Sequence, residues 1–104
     1  MGSQSKVIAC NLEAIPLTQR DGHFKTLQQI QHNIQERQEL VNGYAFRLPP
    51  DPAIGAKIIE YIALERRCCP FFTFVLEFEA EGGALWWKIT GPEGSKEILA
   101  GMEP

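Results

Sequence analysis

Apolar residues recur along the chain with two different spacings, and these spacings separate predicted helices from predicted strands. Alternation of apolar and polar residues predicts four strands, at 6–13, 44–48, 71–79 and 84–90. Helical spacing predicts helices over about 19–37 and about 52–67, and a short last helix that contains Ile98, Leu99 and Met102.

Residues that stop or start regular structure lie between these segments. Asn42-Gly43 interrupts the first helical pattern, and Glu81-Gly82-Gly83 is typical of a hairpin turn. Asp51 followed by Pro52 is a strong helix start, since Asp caps free amides and Pro suits the first helical position. Pro70 pushes the residue before it out of helical conformation, so the second helix ends before Cys69.

The predicted element order is β-α-β-α-β-β-α, without internal repeats, low-complexity tracts or linkers. This order favours an α+β two-layer sandwich, with a four-stranded sheet and helices mainly on one face. We expect a single α+β domain over residues 1–104.

Composition and charge exclude several classes of protein. The chain has 104 residues, 44% of them hydrophobic and 22% charged, which is close to the average for globular domains and excludes disordered or fibrous proteins. Ten Lys and Arg against 13 Asp and Glu leave a net charge of −3. Non-specific binding of nucleic acid requires surplus cations, so we expect no nucleic-acid partner.

The sequence is expected to carry no targeting signal. No apolar run approaches the roughly 18 residues that a membrane span requires, so we expect no membrane partner. Residues 1–6 lack the apolar stretch of a signal peptide. Three cysteines are an odd number, which suits a reducing compartment better than a disulfide framework, and the expected location is the cytoplasm.

One carboxylate falls on the apolar face of the second predicted helix. At about 100° per residue, Glu65 lies within about 20° of the face centred on Ile58, whereas Arg67 points to the opposite side. An unpaired carboxylate there would be costly, so Glu65 requires a partner. Either it pairs with Arg47, Arg66 or a backbone amide near the helix end, or it forms a cluster with the cysteines that follow it.

Two adjacent cysteines, Cys68 and Cys69, end the second helical pattern. A free cysteine is often a small buried hydrophobe, and Cys10, alternating with Ile8 and Leu12, is interpreted that way by default. Consecutive Cα atoms are about 3.8 Å apart, less than a disulfide usually spans, so a Cys68–Cys69 bond would be strained. Two possibilities remain for Cys68 and Cys69: both are free thiols, or both bind one shared ligand.

Helix polarity favours a metal over a nucleophile at this position. Thiolates are stabilised at the amino end of a helix, whereas these thiols lie at the carboxyl end. A soft metal ion deprotonates a thiol by coordination, and closely placed thiolates select ions such as Cu(I), Zn(II) or Hg(II). Cys10 could add a third sulfur if its strand lies close by. His23 could also contribute, although a histidine near an apolar face is more often structural.

A motif around the two cysteines resembles that of a family of small bacterial proteins without an established activity. The segment 65–74 (ERRCCPFFTF) matches the form E-R-x-C-C-P-F-x-x-F, and a hairpin and the T-G-P segment at 90–92 follow it. Ala9-Cys10-x-Leu12 is similar to the family's opening strand. Some members are associated with mercury-responsive-type regulators, and the resemblance implies Cys10, Glu65, Cys68 and Cys69 as the residues to test.

Three functional hypotheses follow. The first is a soft metal or metalloid site in which Cys68 and Cys69 are ligands and Cys10 and Glu65 are auxiliary ligands or orient them. The second is a non-catalytic homodimeric interaction module with structural cysteines, in which Trp86 on the outer face of its strand contacts the partner. The third is a thiol enzyme with Cys68 or Cys69 as nucleophile and Glu65 as base, which the helix polarity disfavours.

Overall fold

The computed structural model describes residues 10–102 of the protein. In chain order, its elements are a 3-10 helix Leu12–Ala14, α1 Leu17–His32, β1 Glu36–Leu40, β2 Gly43–Leu48, α2 Pro52–Cys68, β3 Thr73–Phe78, β4 Leu85–Thr90 and α3 Ser95–Leu99. The strands form one antiparallel sheet, and the helices bury one of its faces. The predicted α+β sandwich with a four-stranded sheet is therefore confirmed.

The strand predicted over residues 6–13 is not present in the part that the structure describes. Residues 6–9 lie outside the described range, and Leu12–Ala14 is a 3-10 helix. The Asn11 side chain accepts a hydrogen bond from the backbone N–H of Glu13 at 3.2 Å, a local bond that favours a turn over an extended strand. The segment is anchored by Ile15, which is fully buried, while Cys10 and Leu12 are exposed.

The first helix ends earlier than the predicted span of about 19–37, and a strand that the sequence does not predict, β1, follows it. Helix α1 ends at His32, and β1 pairs along its whole length with β2, with Glu36 opposite Arg47 and Leu40 opposite Gly43. The β1 sequence ERQEL consists of good helix formers, so local propensity favours the wrong structure. Hydrogen bonding to β2 overrides that propensity.

The sheet has the strand order β1-β2-β4-β3, and the alternation of its strands separates an inner from an outer face. Trp87 at the centre of the inner face is fully buried and lies opposite Phe46 on one side and Leu76 on the other. Strands β2 and β3 are both antiparallel to β4, so they run parallel to each other, and α2 connects them across the inner face.

Helix α2 follows its sequence signals closely and carries the candidate site at its carboxyl end. The Asp51 carboxylate accepts a hydrogen bond from the Ala53 N–H at 2.9 Å, and Pro52 is the first helical residue. Ile58 is fully buried and Arg67 is exposed, as the predicted apolar face requires. The helix ends at Cys68 and Cys69 caps it, so the two adjacent cysteines lie at its carboxyl end.

Among residues 10–102, no helix combines the length and the apolar content that crossing a membrane requires.

Candidate functional site: three sulfurs at the end of α2

Three cysteine sulfurs meet beside the carboxyl end of α2. The Sγ atoms of Cys10, Cys68 and Cys69 all lie within 4.8 Å of one another. Cys10 and Cys69 are joined by a disulfide, and Cys68 is a free, buried thiol. We call these three residues the sulfur cluster. It brings together all three cysteines of the chain, although Cys10 precedes the other two by more than half its length.

The end of α2 directs the two adjacent side chains differently. Cys68 is the last helical residue, whereas Cys69 caps the helix with φ −126° and ψ 73°. The backbone N–H of Cys69 still donates to the Glu65 carbonyl at 2.7 Å, so the turn is held firmly. Because Cys69 leaves the helical conformation ahead of Pro70, its fully buried side chain is placed to meet Cys10.

A backbone hydrogen bond places Cys10 against this helix end. The N–H of Asn11 donates to the carbonyl of Cys68 at 2.7 Å, and this carbonyl is one of those that a helix leaves unpaired at its carboxyl end. The following 3-10 helix packs on α2, and buried Ile15 secures it. Cys10 is thus positioned by main-chain contacts of its neighbours as well as by its own sulfur.

The disulfide corrects the expectations about the thiols. The odd number of cysteines predicted reduced thiols, and the short Cα distance between Cys68 and Cys69 left two free thiols or a shared ligand. The structure instead joins Cys69 to Cys10, which is 59 residues away in sequence. The Cα atoms of these two cysteines are 4.6 Å apart. The sequence suggests a disulfide only between the adjacent pair, because nothing local indicates that Cys10 lies beside the end of α2.

Glu65 lies on the inner side of α2, as predicted, and its partner is His23 of α1. His23 Nε2 and Glu65 Oε1 are 2.9 Å apart, and the two side chains are only 2% and 15% exposed. Neither arginine considered as a partner fills this role: Arg47 pairs with Glu36 at 3.2 Å, and Arg66 is exposed. The prediction that Glu65 is paired is confirmed, but the sequence predicts His23 only as a metal ligand or a structural residue and not as this partner.

Tyr61 lies next to His23 and Glu65, and the three side chains form a buried cluster of polar residues between α1 and α2. The Tyr61 ring stacks on the His23 imidazole with 4.2 Å between centroids and 2° between planes. Burial raises the pKa of the Tyr61 hydroxyl, and the negative charge of the nearby Glu65 raises it further. His23 and Tyr61 also line a groove of about 410 Å³ between α1 and α2. The hydrogen-bonded side chains of His23 and Glu65 therefore connect α1 to α2 one turn before the sulfur cluster.

Electrostatics near α2 oppose ionisation of the free thiol. Burial raises the pKa of Cys68 and the negative charge of Glu65 raises it further, while a hydrogen bond from the Asn11 backbone lowers it in part. At neutral pH Cys68 is accordingly a neutral thiol in the absence of metal. An activated nucleophile has the opposite environment, so these contacts argue against Cys68 as a catalytic thiolate.

The raised pKa leads to a measurable pH dependence. We expect alkylation of Cys68 by iodoacetamide in the oxidised protein to reach half its limiting rate at a higher pH than in the unfolded protein. Glu65→Gln removes the negative charge that raises the pKa of Cys68, so it should move the midpoint of alkylation back towards that of the unfolded protein. The pKa of Cys68 is higher in the folded than in the unfolded protein. The stability that the neutral thiol contributes is therefore complete below the ordinary thiol pKa and is lost as the pH rises through the folded-state pKa. A midpoint at or below that of the unfolded protein would contradict this.

Trp86 lies apart from the sulfur cluster, on the outer face of the sheet. It is half-buried, with Arg47 of β2 and Glu77 of β3 as its neighbours in register. Glu77 also pairs with Lys88 of β4 at 3.2 Å, so charged side chains surround the indole. Trp86 faces outwards as the alternation predicted, and homodimerisation through this face stays a prediction.

The chain matches no protein-family model, and no curated protein or solved structure matches it significantly. The resemblance of the 65–74 motif to the small bacterial family therefore stays a prediction. Fold and site together define an α+β domain that gathers three cysteines at the carboxyl end of one helix, with a buried carboxylate–imidazole pair one turn away.

Proposed function

We propose that the protein, once its disulfide is reduced, binds one thiophilic metal ion through the sulfurs of Cys10, Cys68 and Cys69. The observation that carries the proposal is the convergence of three sulfurs from two distant segments within 4.8 Å of one another. Closely placed thiolates select soft ions, and coordination supplies the positive charge that the buried thiols otherwise lack.

The backbone supports this ligand set independently of the disulfide. The hydrogen bond from Asn11 to Cys68 and the burial of Ile15 hold the segment of Cys10 against α2 by contacts other than the S–S bond. After reduction, these contacts keep the three thiols near one another. A preorganised ligand set loses little conformational freedom on binding, which favours a high affinity.

Of the two roles that the sequence predicts for Glu65, an auxiliary ligand or a residue that orients the ligands, this proposal keeps the second. The Oε1 atom of Glu65 is already 2.9 Å from His23 Nε2, so we assign Glu65 to fixing His23 and the end of α2. Three sulfurs alone suit Cu(I) or Hg(II), whereas a closed zinc site requires four ligands and would need one from outside the cluster.

Native mass spectrometry of the reduced protein, kept free of oxygen, tests the proposal. We expect one retained Cu(I) or Hg(II) ion, or one Zn(II) ion held more weakly. If a four-ligand structural site is worth about 12 kcal/mol, each ligand contributes about 3 kcal/mol, so Cys68→Ser should weaken binding by about 100-fold.

A matched variant separates the cysteines from the carboxylate. Glu65→Gln keeps the size of the side chain and all three sulfurs, so we expect it to bind the same ion with an affinity within about tenfold of the original. Reduced protein that retains none of the three ions would overturn the proposal, and equal affinity in the Cys68→Ser variant would remove Cys68 from the ligand set.

A further inference from the structure

We propose that the sulfur cluster also undergoes thiol–disulfide exchange with low-molecular-weight disulfides, and that this reaction releases the bound ion. The exchange itself depends only on the cysteines, whereas the release step rests on the proposed function. The observation behind it is that two of the three candidate ligands, Cys10 and Cys69, are the two that the disulfide joins.

Metal binding and the disulfide exclude each other chemically. Thiolates are the ligands of a soft ion, and a sulfur in a disulfide no longer carries the thiolate charge. When Cys10 and Cys69 are joined, Cys68 is the single thiol left in the cluster. One thiol does not replace a set of three, so closure of the disulfide must expel the ion.

Exposure decides where an incoming disulfide reacts. Cys10 is exposed, whereas Cys68 is 5% exposed and Cys69 is fully buried. Thiol–disulfide exchange requires direct access of the attacking sulfur to the disulfide. Cys10 is therefore the entry point of the reaction, and Cys69 is the thiol that completes it.

The reaction balances in two exchange steps. The Cys10 thiolate attacks a small disulfide RSSR, forming a mixed disulfide Cys10–S–S–R and releasing one RS⁻. The Cys69 thiolate then attacks the Cys10 sulfur, forming Cys10–S–S–Cys69 and releasing the second RS⁻. Two protein thiolates are oxidised and one RSSR is reduced to two RS⁻, and the metal ion leaves with its charge unchanged. An excess of small thiol reverses both steps.

The position of Cys68 directs which disulfide forms. Cys68 and Cys69 are adjacent, and neighbouring Cα atoms are about 3.8 Å apart, too close for an ordinary disulfide. The Cα atoms of Cys10 and Cys69 are 4.6 Å apart, within the usual range. Of the two pairings open to Cys10, the structure contains the one with Cys69 and leaves Cys68 free. Cys68 is therefore a ligand in one state and a free thiol, after taking a proton from water, in the other.

The first experiment examines exchange without metal. Reduced protein is treated with glutathione disulfide, and the products are identified by peptide mapping after alkylation of the remaining thiols. We expect two glutathione molecules released per chain, a Cys10–Cys69 disulfide and alkylated Cys68. The Cys68→Ser variant should form the same disulfide as the unchanged protein, and adding Cys69→Ser to it should stop the reaction at a stable mixed disulfide on Cys10, since no second thiol is left in the cluster. A mixture of all three pairings, or no reaction, would overturn the inference.

The second experiment examines release, with Cd(II) as the probe because its bonds to thiolates absorb in the ultraviolet. Reduced protein containing one Cd(II) receives glutathione disulfide, and we expect the absorption to disappear as the Cys10–Cys69 disulfide forms, with one Cd(II) freed per disulfide. Cd(II) that stays bound after the disulfide has formed would overturn the inference and leave the metal site standing. Reduced protein that binds no Cd(II) would instead count against the proposed function and the release step, while the exchange is judged by the first experiment.

Discussion

Replacing Cys10 with serine is expected to lower the free energy of unfolding of the oxidised protein by about 4 kcal/mol. The Cys10–Cys69 disulfide closes a loop with a sequence separation of 59 residues, more than half of the chain. A cross-link of this span restricts the unfolded chain strongly, and the loop-entropy relation gives about 3 kcal/mol for 15 residues and about 4.7 kcal/mol for 100. Domains of this size are stable by roughly 5–15 kcal/mol in total, so the loss is a large fraction.

Urea unfolding with and without reductant measures this effect. Cys68→Ser is the matched control, because it changes a neighbouring cysteine and keeps the disulfide; we expect it to lose less than about 1.5 kcal/mol. In reductant, Cys10→Ser and the unchanged protein should unfold at nearly the same urea concentration. Equal stabilities of the two under oxidising conditions would show that the disulfide contributes little.

This prediction connects stability with the proposed metal site. Reduction removes the covalent link between the amino-terminal segment and α2, and a metal ion bound by the same sulfurs would restore a link at the same place. A ligand that binds only the folded state stabilises it in proportion to the logarithm of its concentration over the dissociation constant. A thiophilic ion should accordingly recover part of the stability lost on reduction, and the Cys68→Ser variant should recover less.

Replacing Glu65 with leucine is expected to cost about 3 kcal/mol of stability. Leucine fits an apolar helix face, but it leaves His23, whose side chain is 2% exposed, without its carboxylate acceptor. Breaking a buried pair by removing one member costs about 3–5 kcal/mol, and the 15% exposure of Glu65 places this pair at the lower end. Glu65→Gln retains an oxygen that accepts from His23 Nε2 and should cost less than half as much.

A double-mutant cycle distinguishes this pair from two independent contacts. His23→Phe keeps an aromatic ring on Tyr61 and removes the imidazole, so combining it with Glu65→Leu eliminates both polar groups together. We expect the double variant to be at least about 1 kcal/mol more stable than the sum of the two single losses predicts. Additive losses in urea unfolding would mean that Glu65 and His23 contribute separately.

Local signals were sufficient where an element is defined by its own residues. Asp51 and Pro52 begin α2 as predicted, and the inner position of Ile58 and the outer position of Arg67 follow from helical spacing. Trp87 and Trp86 lie on opposite faces of β4 because a strand alternates its side chains. These features depend on neighbours a few residues away, which the sequence displays directly.

The predictions for two segments were wrong, because contacts with residues distant in sequence decide the conformation of these segments. Residues 36–40 favour a helix by composition, yet they form β1 because they pair in register with β2 along their whole length. Asn42-Gly43 was interpreted as a helix break, although Asn-Gly is also a strong hairpin signal, and it follows β1 directly. The described part of the segment 6–13 forms a 3-10 turn that docks on the end of α2.

For the candidate site, the helical repeat and Pro70 are enough to predict that Cys68 and Cys69 end a helix and that Glu65 lies on its inner side. The bond between Cys69 and Cys10, the free thiol of Cys68 and the contact of His23 with Glu65 are visible in the folded chain alone. The separations of 59 residues for the disulfide and 42 for the contact between His23 and Glu65 explain this difference. No spacing rule relates side chains so far apart, and their meeting depends on how α1, α2 and the amino-terminal segment pack against one another.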